Sequence, residues 1–260
     1  NETMLTKITK GDSNVDVVCP SEYAIQKLIE MDYLIPLNYF DETKYTQGMT
    51  KTGYVHYSNN VDQNVVEKID QTFGNIGGKN MLDYMVPYMY GTLGVLYNKY
   101  QFMELGIYES DIMNQANWGI LFNDNGKGQL LHEELTGQIL MKDSIRDTYA
   151  VTLFYLLETG KLDGLRDDDG NLYTDLSANQ LINSVDDNLL EIVKQTLTQQ
   201  KQQLFGYEVD FGKDDLLKGN AMVDLAWSGD ALYAVEESWN DDLGEEGDYE
   251  LSYYVPHGAG

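Results

Sequence analysis

Three short segments of the chain combine aromatic rings, hydroxyl groups and carboxylates at points where a predicted strand meets a predicted helix. The segments are Pro20-Ser21-Glu22-Tyr23, Asp143-Ser144-Ile145-Arg146-Asp147 and Trp227-Ser228-Gly229-Asp230. Open α/β sheets bind ligands at the carboxyl ends of their strands, which is where these segments fall. An aromatic face stabilises an alkylammonium charge, and carboxylates and hydroxyls accept its N–H groups. Together the segments predict a site for an alkylammonium group.

Each segment also has a purely structural explanation. Ser21 can cap the N-terminus of the helix that follows it, and residues 144–147 fit a capping box. Trp227 can be a core residue, and Asp230 can stabilise a helix N-terminus through the helix dipole. Taken singly, each structural explanation is the stronger one. The ligand explanation is favoured because it accounts for all three segments at once.

Composition narrows the range of partners. The chain has 260 residues, of which 42% are hydrophobic, and this length favours two lobes over one. It carries 17 Lys and Arg against 43 Asp and Glu, a net charge of −26, which repels nucleic acid and attracts cations. An acidic surface also serves solubility alone, so the charge favours a cationic ligand without deciding the case. No apolar stretch approaches the ~18 residues that span a bilayer.

Several kinds of chemistry lack support in the sequence. The histidines are scattered and show no metal-binding spacing: His56, His132 and His257. Cys19 is the only cysteine, so the chain has no internal disulfide. The acidic segments 123–126 and 166–171 place a leucine at the first ligand position of a calcium loop, and turn chemistry explains both. No phosphate-binding glycine loop occurs. We therefore expect no metal, no cofactor and no catalytic residue.

Predicted strands and helices alternate along the chain. The strands cover residues 14–19, 85–98, 135–140, 221–226 and 251–255, and the helices cover residues 22–31, 61–73, 144–157, 187–204, 214–219 and 229–237. β-Branched runs that end at Pro or Gly indicate the strands, and apolar residues at helical spacing indicate the helices. Such alternation predicts an α/β fold with a mostly parallel sheet in each lobe, flanked by helices.

Four segments in this order resemble the spermidine/putrescine-binding proteins of bacterial ABC importers. They are residues 16–23, 86–98, 140–149 and 226–230. Members of this family have a bilobed, type II periplasmic-binding-protein architecture. The resemblance implies a first lobe over residues 1–96, a second lobe over residues 97–250 and a return crossing over residues 251–260. It also implies that the chain lacks the opening strand of the first lobe and a closing segment.

The resemblance assigns ligand-binding roles to residues in both lobes. They are Ser21, Tyr23, Tyr90, Ser144, Asp147, Trp227 and Asp230. Trp227 is expected to stack on the methylene chain of the ligand, and Asp230 is expected to pair with one of its amines. Asp147 is shorter than the Glu that is common in the family, so the preferred spacing between the amines stays open.

The implied function is a non-catalytic one. The chain is expected to be the extracytoplasmic component of a polyamine importer, to bind the cation between its lobes and to present it to a permease. The location is the periplasm or the outer face of the cell membrane, and the full-length form is expected to be a membrane-tethered lipoprotein. Nucleic acid is not an expected partner.

Two alternatives remain open at this point. The first is a protein of the same fold that binds an amino acid, thiamine or ferric ion. An amino-acid site needs an arginine for the carboxylate, and Arg146 is the only cation in the candidate segments. The second is an acidic α/β enzyme with an active site between the lobes. That reading is weaker, because the sequence has no Gly-x-Ser-x-Gly elbow and no histidine beside the candidate segments.

Overall fold

The computed structural model describes residues 1–12, 14–37, 61–110, 112, 117–125 and 127–256. His56 and His257 lie outside these residues. Residue contacts divide the chain into two compact units, Asn1–Tyr90 and Gly91–Gly260. The lobe boundary predicted between residues 96 and 97 falls inside the first strand of the second unit. None of the helices in the described part of the chain has both the length and the apolar character needed to cross a bilayer.

The first unit, as far as it is described, consists of helices around a small apolar core. Its elements are α1 (Glu2–Thr9), α2 (Glu22–Glu30), α3 (Gln63–Phe73) and a 3₁₀ helix (Met81–Asp83). Ala24, Leu28 and Ile29 lie on one face of α2 and are buried, as the periodicity of the segment predicts. Ile29 packs against Ile76 and Met81 in the core. The helices predicted at residues 22–31 and 61–73 are confirmed, whereas α1 was not predicted.

The strand predicted at residues 14–19 does not form. Its described residues have no strand partner, and Val15 and Val17 are 57% and 86% exposed. A β-branched run becomes a strand only where a neighbouring strand accepts its backbone hydrogen bonds and one of its faces is covered. The described residues of the first unit contain no strand that could do this, so the sheet predicted for this lobe is not found among them.

A five-stranded sheet with the order β3-β2-β4-β1-β7 forms the centre of the second unit. Its strands are β1 (Leu93–Asn98), β2 (Ile139–Lys142), β3 (Leu204–Glu208), β4 (Val223–Trp227) and β7 (Leu251–Tyr254); β5 (Trp239–Asn240) and β6 (Asp248–Tyr249) form a separate ribbon. β2 is parallel to β3 and β4, whereas β1 is antiparallel to β4 and β7. The predicted α/β class is confirmed, and the sheet is mixed, because β2, β3, β4 and β7 run in one direction and β1 runs in the other.

Helices cover both faces of this sheet. They are α4 (Lys99–Glu104), α5 (Gly119–Phe122), α6 (Ile145–Glu158), α7 (Ala178–Ile182), α8 (Asp187–Gln200), α9 (Gly212–Leu217) and α10 (Ser228–Glu237). Successive residues of a strand point to opposite faces. Val95 and Tyr97 of β1 therefore join the larger core with Val151 of α6, while Leu96 joins a second core with Leu216 of α9. Because both faces are covered, β1 is buried along nearly its whole length.

The strand predicted at residues 85–98 is shorter in the structure, and one further strand of the sheet is not predicted. The strand predicted at residues 85–98 begins only at Leu93, and the aromatic residues before it, Tyr88 and Tyr90, are 80% and 75% exposed. β3 is not predicted: the helix predicted at residues 187–204 extends past the end of α8 at Gln200, and no element is predicted for residues 205–208. β3 lies at the edge of the sheet, and Phe205 and Tyr207 on it are 51% and 42% exposed.

Candidate functional site

Most of the candidate residues of the second unit follow strands that end at the same edge of its sheet. β2, β3 and β4 run in the same direction, so their carboxyl ends lie side by side. The start of antiparallel β1 lies there too, because Leu93 is opposite Trp227. We call this edge, formed by residues 91–92, 143–147, 209–213 and 227–230, the carboxyl edge. Open α/β sheets bind ligands at this kind of edge.

Trp227 is the last residue of β4 and the first exposed one. The four residues before it in the strand are buried, whereas Trp227 is 39% exposed. The alternative that Trp227 is only a core residue is therefore wrong. A partly exposed indole at a strand end offers an aromatic face to a ligand, and that face is the surface on which an alkylammonium or its methylene chain stacks.

Backbone contacts hold Trp227 in this position. The Ser228 N–H donates to the Thr92 carbonyl (2.9 Å), and the Thr92 N–H donates to Ser228 Oγ (3.2 Å). Tyr253 Oη donates to the same Thr92 carbonyl (2.9 Å). A Cβ on Gly91 would lie 2.9 Å from Ser228 Oγ and 3.6 Å from Trp227 Cε3, so glycine permits this close approach. Residues 91–92, which precede β1, thus lie close to Trp227 and Ser228.

Ser144 and Asp147 lie after β2, in the first turn of α6. Ser144 Oγ accepts a hydrogen bond from the Asp147 backbone N–H (3.4 Å), which makes Ser144 the N-cap of α6. Thr148 Oγ1 donates to the Lys142 carbonyl (2.7 Å) and ties this turn to the end of β2. The predicted capping role of Ser144 is therefore real. Capping engages the hydroxyl oxygen as an acceptor and leaves its O–H available as a donor.

Asp230 lies in the first turn of α10, and it already has a cationic partner. Lys213 Nζ of α9 is 2.5 Å from Asp230 Oδ1, and the two side chains are 25% and 39% exposed. The hydrogen bond to Asp230 raises the pKa of Lys213 above its ordinary value. The lysine ammonium also lies 5.9 Å from the centre of the Tyr233 ring. A carboxylate and an aromatic ring at the carboxyl edge thus bind a primary alkylammonium within the protein itself.

Buried charges fix the position of α9. Lys142, Glu208 and Asp224 lie on adjacent strands and are 5%, 7% and 1% exposed. Lys142 Nζ donates to Glu208 Oε1, and Glu208 Oε2 accepts a hydrogen bond from the Gly212 backbone N–H (2.9 Å). Burial raises the pKa of Asp224 well above its ordinary value, an effect that the Lys142 charge opposes. Because Gly212 begins α9, this buried cluster determines where Lys213 stands.

The candidate residues of the first unit contact the start of the chain. Asn1 Nδ2 donates to Ser21 Oγ (3.0 Å), and the Ser21 N–H donates to Asn1 Oδ1 (3.3 Å). Tyr23 Oη donates to Glu2 Oε1 (2.7 Å), and this bond lowers the pKa of Glu2. Ser21 is the residue before α2, but its side chain makes no capping hydrogen bond. Ser21 therefore occupies the predicted N-cap position, but its hydroxyl does not cap the helix.

The other residues that the sequence singled out are Tyr90, Arg146 and the acidic segment 166–171. Tyr90 is 75% exposed. Arg146 Nη1 donates to Asn183 Oδ1 (3.3 Å). Residues 166–171 form a turn in which Asp167 Oδ1 accepts from the Asn171 N–H (2.7 Å). Within the described residues, no three or more His, Cys, Asp or Glu side chains form a group that could hold a metal ion.

Lys213 is the main feature that the sequence reasoning missed. It is the second residue of α9, the helix that follows β3, so it lies at the same kind of strand-to-helix junction as the three predicted segments. The signal in the sequence is the position of residues 210–213 between a strand and a helix. That position is recognised only if β3 is predicted as a strand. β3 is an exposed edge strand, and no strand is predicted from the sequence of residues 204–208.

The fold is that of the substrate-binding proteins of ABC transporters. A Listeria monocytogenes structure assigned to a spermidine/putrescine ABC transporter has a TM-score of 0.62 and 24% sequence identity, with 98% of this chain and 57% of that chain covered. The TpPotD lipoprotein Tp0655 of Treponema pallidum has a TM-score of 0.57 and 17% identity, with 98% and 59% covered. The spermidine/putrescine substrate-binding protein PotD of Streptococcus pneumoniae has a TM-score of 0.53 and 21% identity, with 98% and 57% covered.

The sequence itself is similar to a putrescine/cadaverine-binding protein of Pseudomonas aeruginosa. The two are 25% identical over 155 residues, which are 60% of this chain and 35% of that protein. No protein-family model matches the chain. The predicted resemblance to polyamine-binding proteins and the predicted fold are confirmed. The chain spans well under two thirds of the length of the relatives that it matches.

Proposed function

We propose that the chain binds a linear polyamine, spermidine or putrescine, as the substrate-binding component of an ABC importer. The observation that carries this proposal is the partly exposed Trp227 indole at the carboxyl edge, three residues before Asp230 in the chain, where the fold class binds its ligands. The net charge of −26 supports it, since the whole chain attracts polycations. The names of the similar proteins support it as well.

Each proposed ligand-binding residue has a physical role. The Trp227 face stacks on the methylene chain and stabilises an adjacent ammonium charge, and Asp230 accepts N–H groups of a terminal ammonium. Ser144 and Asp147 contribute an O–H and a carboxylate from the neighbouring strand end. The proposed ligand-binding residues of the first unit are Ser21, Tyr23 and Tyr90.

The proposed setting follows from the same function. The protein works outside the cytoplasmic membrane, on the periplasmic or extracellular side. It carries out no catalysis, and it delivers the polyamine to a membrane permease. A membrane tether on the full-length form keeps the protein near that permease.

Calorimetric titration of the 260-residue chain with spermidine and with putrescine tests the proposal. We expect saturable heat with at least one of the two, and an affinity that falls as salt is added, because a carboxylate–ammonium contact is screened. Glycine and sodium acetate serve as controls for a zwitterion and an anion. Absence of heat with both polyamines, for a chain whose circular dichroism shows that it is folded, would refute the ligand assignment.

A further inference from the structure

The ion pair between Lys213 and Asp230 places an alkylammonium on the carboxylate that the ligand is proposed to bind. The Lys213 side chain ends in four methylenes and an ammonium, which is the same chemical group as one end of putrescine. Its Nζ is 2.5 Å from Asp230 Oδ1 and 5.9 Å from the Tyr233 ring centre. These are the two kinds of contact, carboxylate and aromatic, that a bound polyamine needs.

The fold imposes this arrangement on Lys213. Gly212 precedes it and donates its N–H to buried Glu208 (2.9 Å). A Cβ at residue 212 would overlap the carboxylate of buried Asp224, so α9 packs directly against the sheet. α9 and α10 are in contact, and Lys213 and Asp230 each lie near the start of their helix. Lys213 is therefore delivered to Asp230 by a rigid junction and not by a long flexible loop.

We propose that Lys213 is an internal competitor of the ligand and that a polyamine binds by exchanging its own ammonium for that of Lys213 on Asp230. This inference rests on the proposed function. Exchange of one ammonium for another adds no net ion pair at Asp230. Lys213 therefore lowers the affinity of the chain for a polyamine relative to a chain with no cation at residue 213. It also selects against ligands with a single amine, which gain nothing at Asp230 that Lys213 does not already supply. Lys213 is thus a specificity-determining residue.

The chain contains a closely matched control pair. Lys99 Nζ is 2.8 Å from Asp248 Oδ2, and it lies 5.6 Å from the Tyr100 ring centre. The Asp248 side chain is 38% exposed, against 39% for Asp230. Lys99 follows the carboxyl end of β1, which is antiparallel to β4, so this pair lies at the opposite edge of the sheet.

The experiment compares Lys213→Met and Lys99→Met with the original chain in calorimetric titrations with spermidine and putrescine. Methionine keeps an unbranched side chain and removes the charge. Partly exposed ion pairs are worth little, so we expect Lys213→Met to tighten spermidine binding by about two- to fivefold. Lys99→Met, with the same change in net charge, leaves the affinity unchanged. The titrations are repeated in about 0.5 M salt, where the long-range effect of net charge is screened and the contact effect persists.

A second measurement follows Lys213 directly. In ¹⁵N spectra of the lysine ammonium groups, spermidine should move the Lys213 signal towards its position in Asp230→Asn and leave the Lys99 signal in place. If the role of Lys213 is purely structural, its signal should not move, and Lys213→Met should bind spermidine more weakly than the original chain does.

The outcomes separate this inference from the proposed function. Heat with the original chain together with equal or weaker binding by Lys213→Met would overturn the exchange and leave the polyamine assignment standing. Absence of heat with every variant would overturn both. Binding of γ-aminobutyrate that is lost in Lys213→Met would also overturn the exchange, because the ion pair would then recognise a zwitterion, with Lys213 on the carboxylate and Asp230 on the amine.

Discussion

The substitution Trp227→Ala separates a ligand-binding tryptophan from a structural one. Trp227 is 39% exposed and ends a strand whose other residues are buried. A Cβ on Gly91 would lie 3.6 Å from Trp227 Cε3, so the indole lies close to the backbone of residue 91. Truncation to alanine removes the proposed stacking surface at the carboxyl edge and keeps the backbone that β1 and β4 share.

The expected loss of affinity is moderate. A cation–π contact is worth about 0.5–1 kcal/mol at an exposed site and about 2 kcal/mol when desolvated. Trp227 is partly covered before binding and more covered afterwards, so we expect about 1–2 kcal/mol, or about 5- to 30-fold weaker binding of spermidine. Truncating a fully buried tryptophan costs about 3–5 kcal/mol of stability; with three fifths of this side chain buried, about 2–3 kcal/mol is expected.

Calorimetry measures the first quantity and urea denaturation the second. Trp239→Ala is the matched control, because Trp239 is 47% exposed and packs edge-to-face on Tyr249 with ring centres 4.9 Å apart. Its ribbon leads into the start of β7, where Leu251 lies opposite Asn98 at the other edge of the sheet. Trp239→Ala should lose stability but not affinity. Equal affinities for Trp227→Ala and Trp239→Ala would contradict the stacking role of Trp227.

Three further predictions follow from the charges and glycines around the carboxyl edge. Asp230→Asn should weaken spermidine binding by about two- to fivefold, because a partly exposed carboxylate contributes little and its loss leaves the Lys213 charge unpaired near the bound ammonium. The similarly exposed Asp248→Asn should not weaken binding, and equal affinities of the two variants in calorimetry would remove Asp230 from the site. The raised pKa of Asp224 means that the folded state holds this proton more tightly than the unfolded state. The free energy of unfolding should therefore fall as the pH rises from the ordinary pKa of 3.8 towards the folded pKa. Denaturation at several pH values should show a smaller fall in the free energy of unfolding for Asp224→Asn than for the original chain. Gly212→Ala should destabilise the fold by about 1–3 kcal/mol, because its Cβ would overlap Asp224, whereas Gly206→Ala, with open space around residue 206, should be tolerated; similar melting temperatures for the two would show that α9 can shift.

Helices were the elements that local sequence predicted best. Glu22–Glu30, Ile145–Glu158 and Ser228–Glu237 each begin within one residue of the predicted start and end within one residue of the predicted end. Hydrogen bonds within a helix join residues four apart, and the apolar spacing and caps that mark it lie in the same short stretch. The composition also indicated a cationic ligand, because net charge is a sum that does not depend on the fold.

Strands depended on partners that are distant in the chain. The alternating residues 14–19 form no strand where no partner is described, while Leu204–Glu208 forms one beside β2 although its own pattern does not indicate it. The relative direction of two strands also depends on residues that are distant in the chain. β1 is antiparallel to β4, and 130 residues separate the first residue of β1, Leu93, from the first residue of β4, Val223. Periodicity reports which residues are buried, not which strand lies next to them.

The sequence alone determined that residues 143–147 and 227–230 each carry candidate ligands after a strand. The tertiary structure alone decided that these segments share an edge, because that requires β2 and β4 to be parallel neighbours. It also decided that Asp230 is paired, since Lys213 reaches it only after β3 and β4 have both been placed in the sheet. A side chain's chemistry is local, but its partner is set by the packing of elements that the chain order does not reveal.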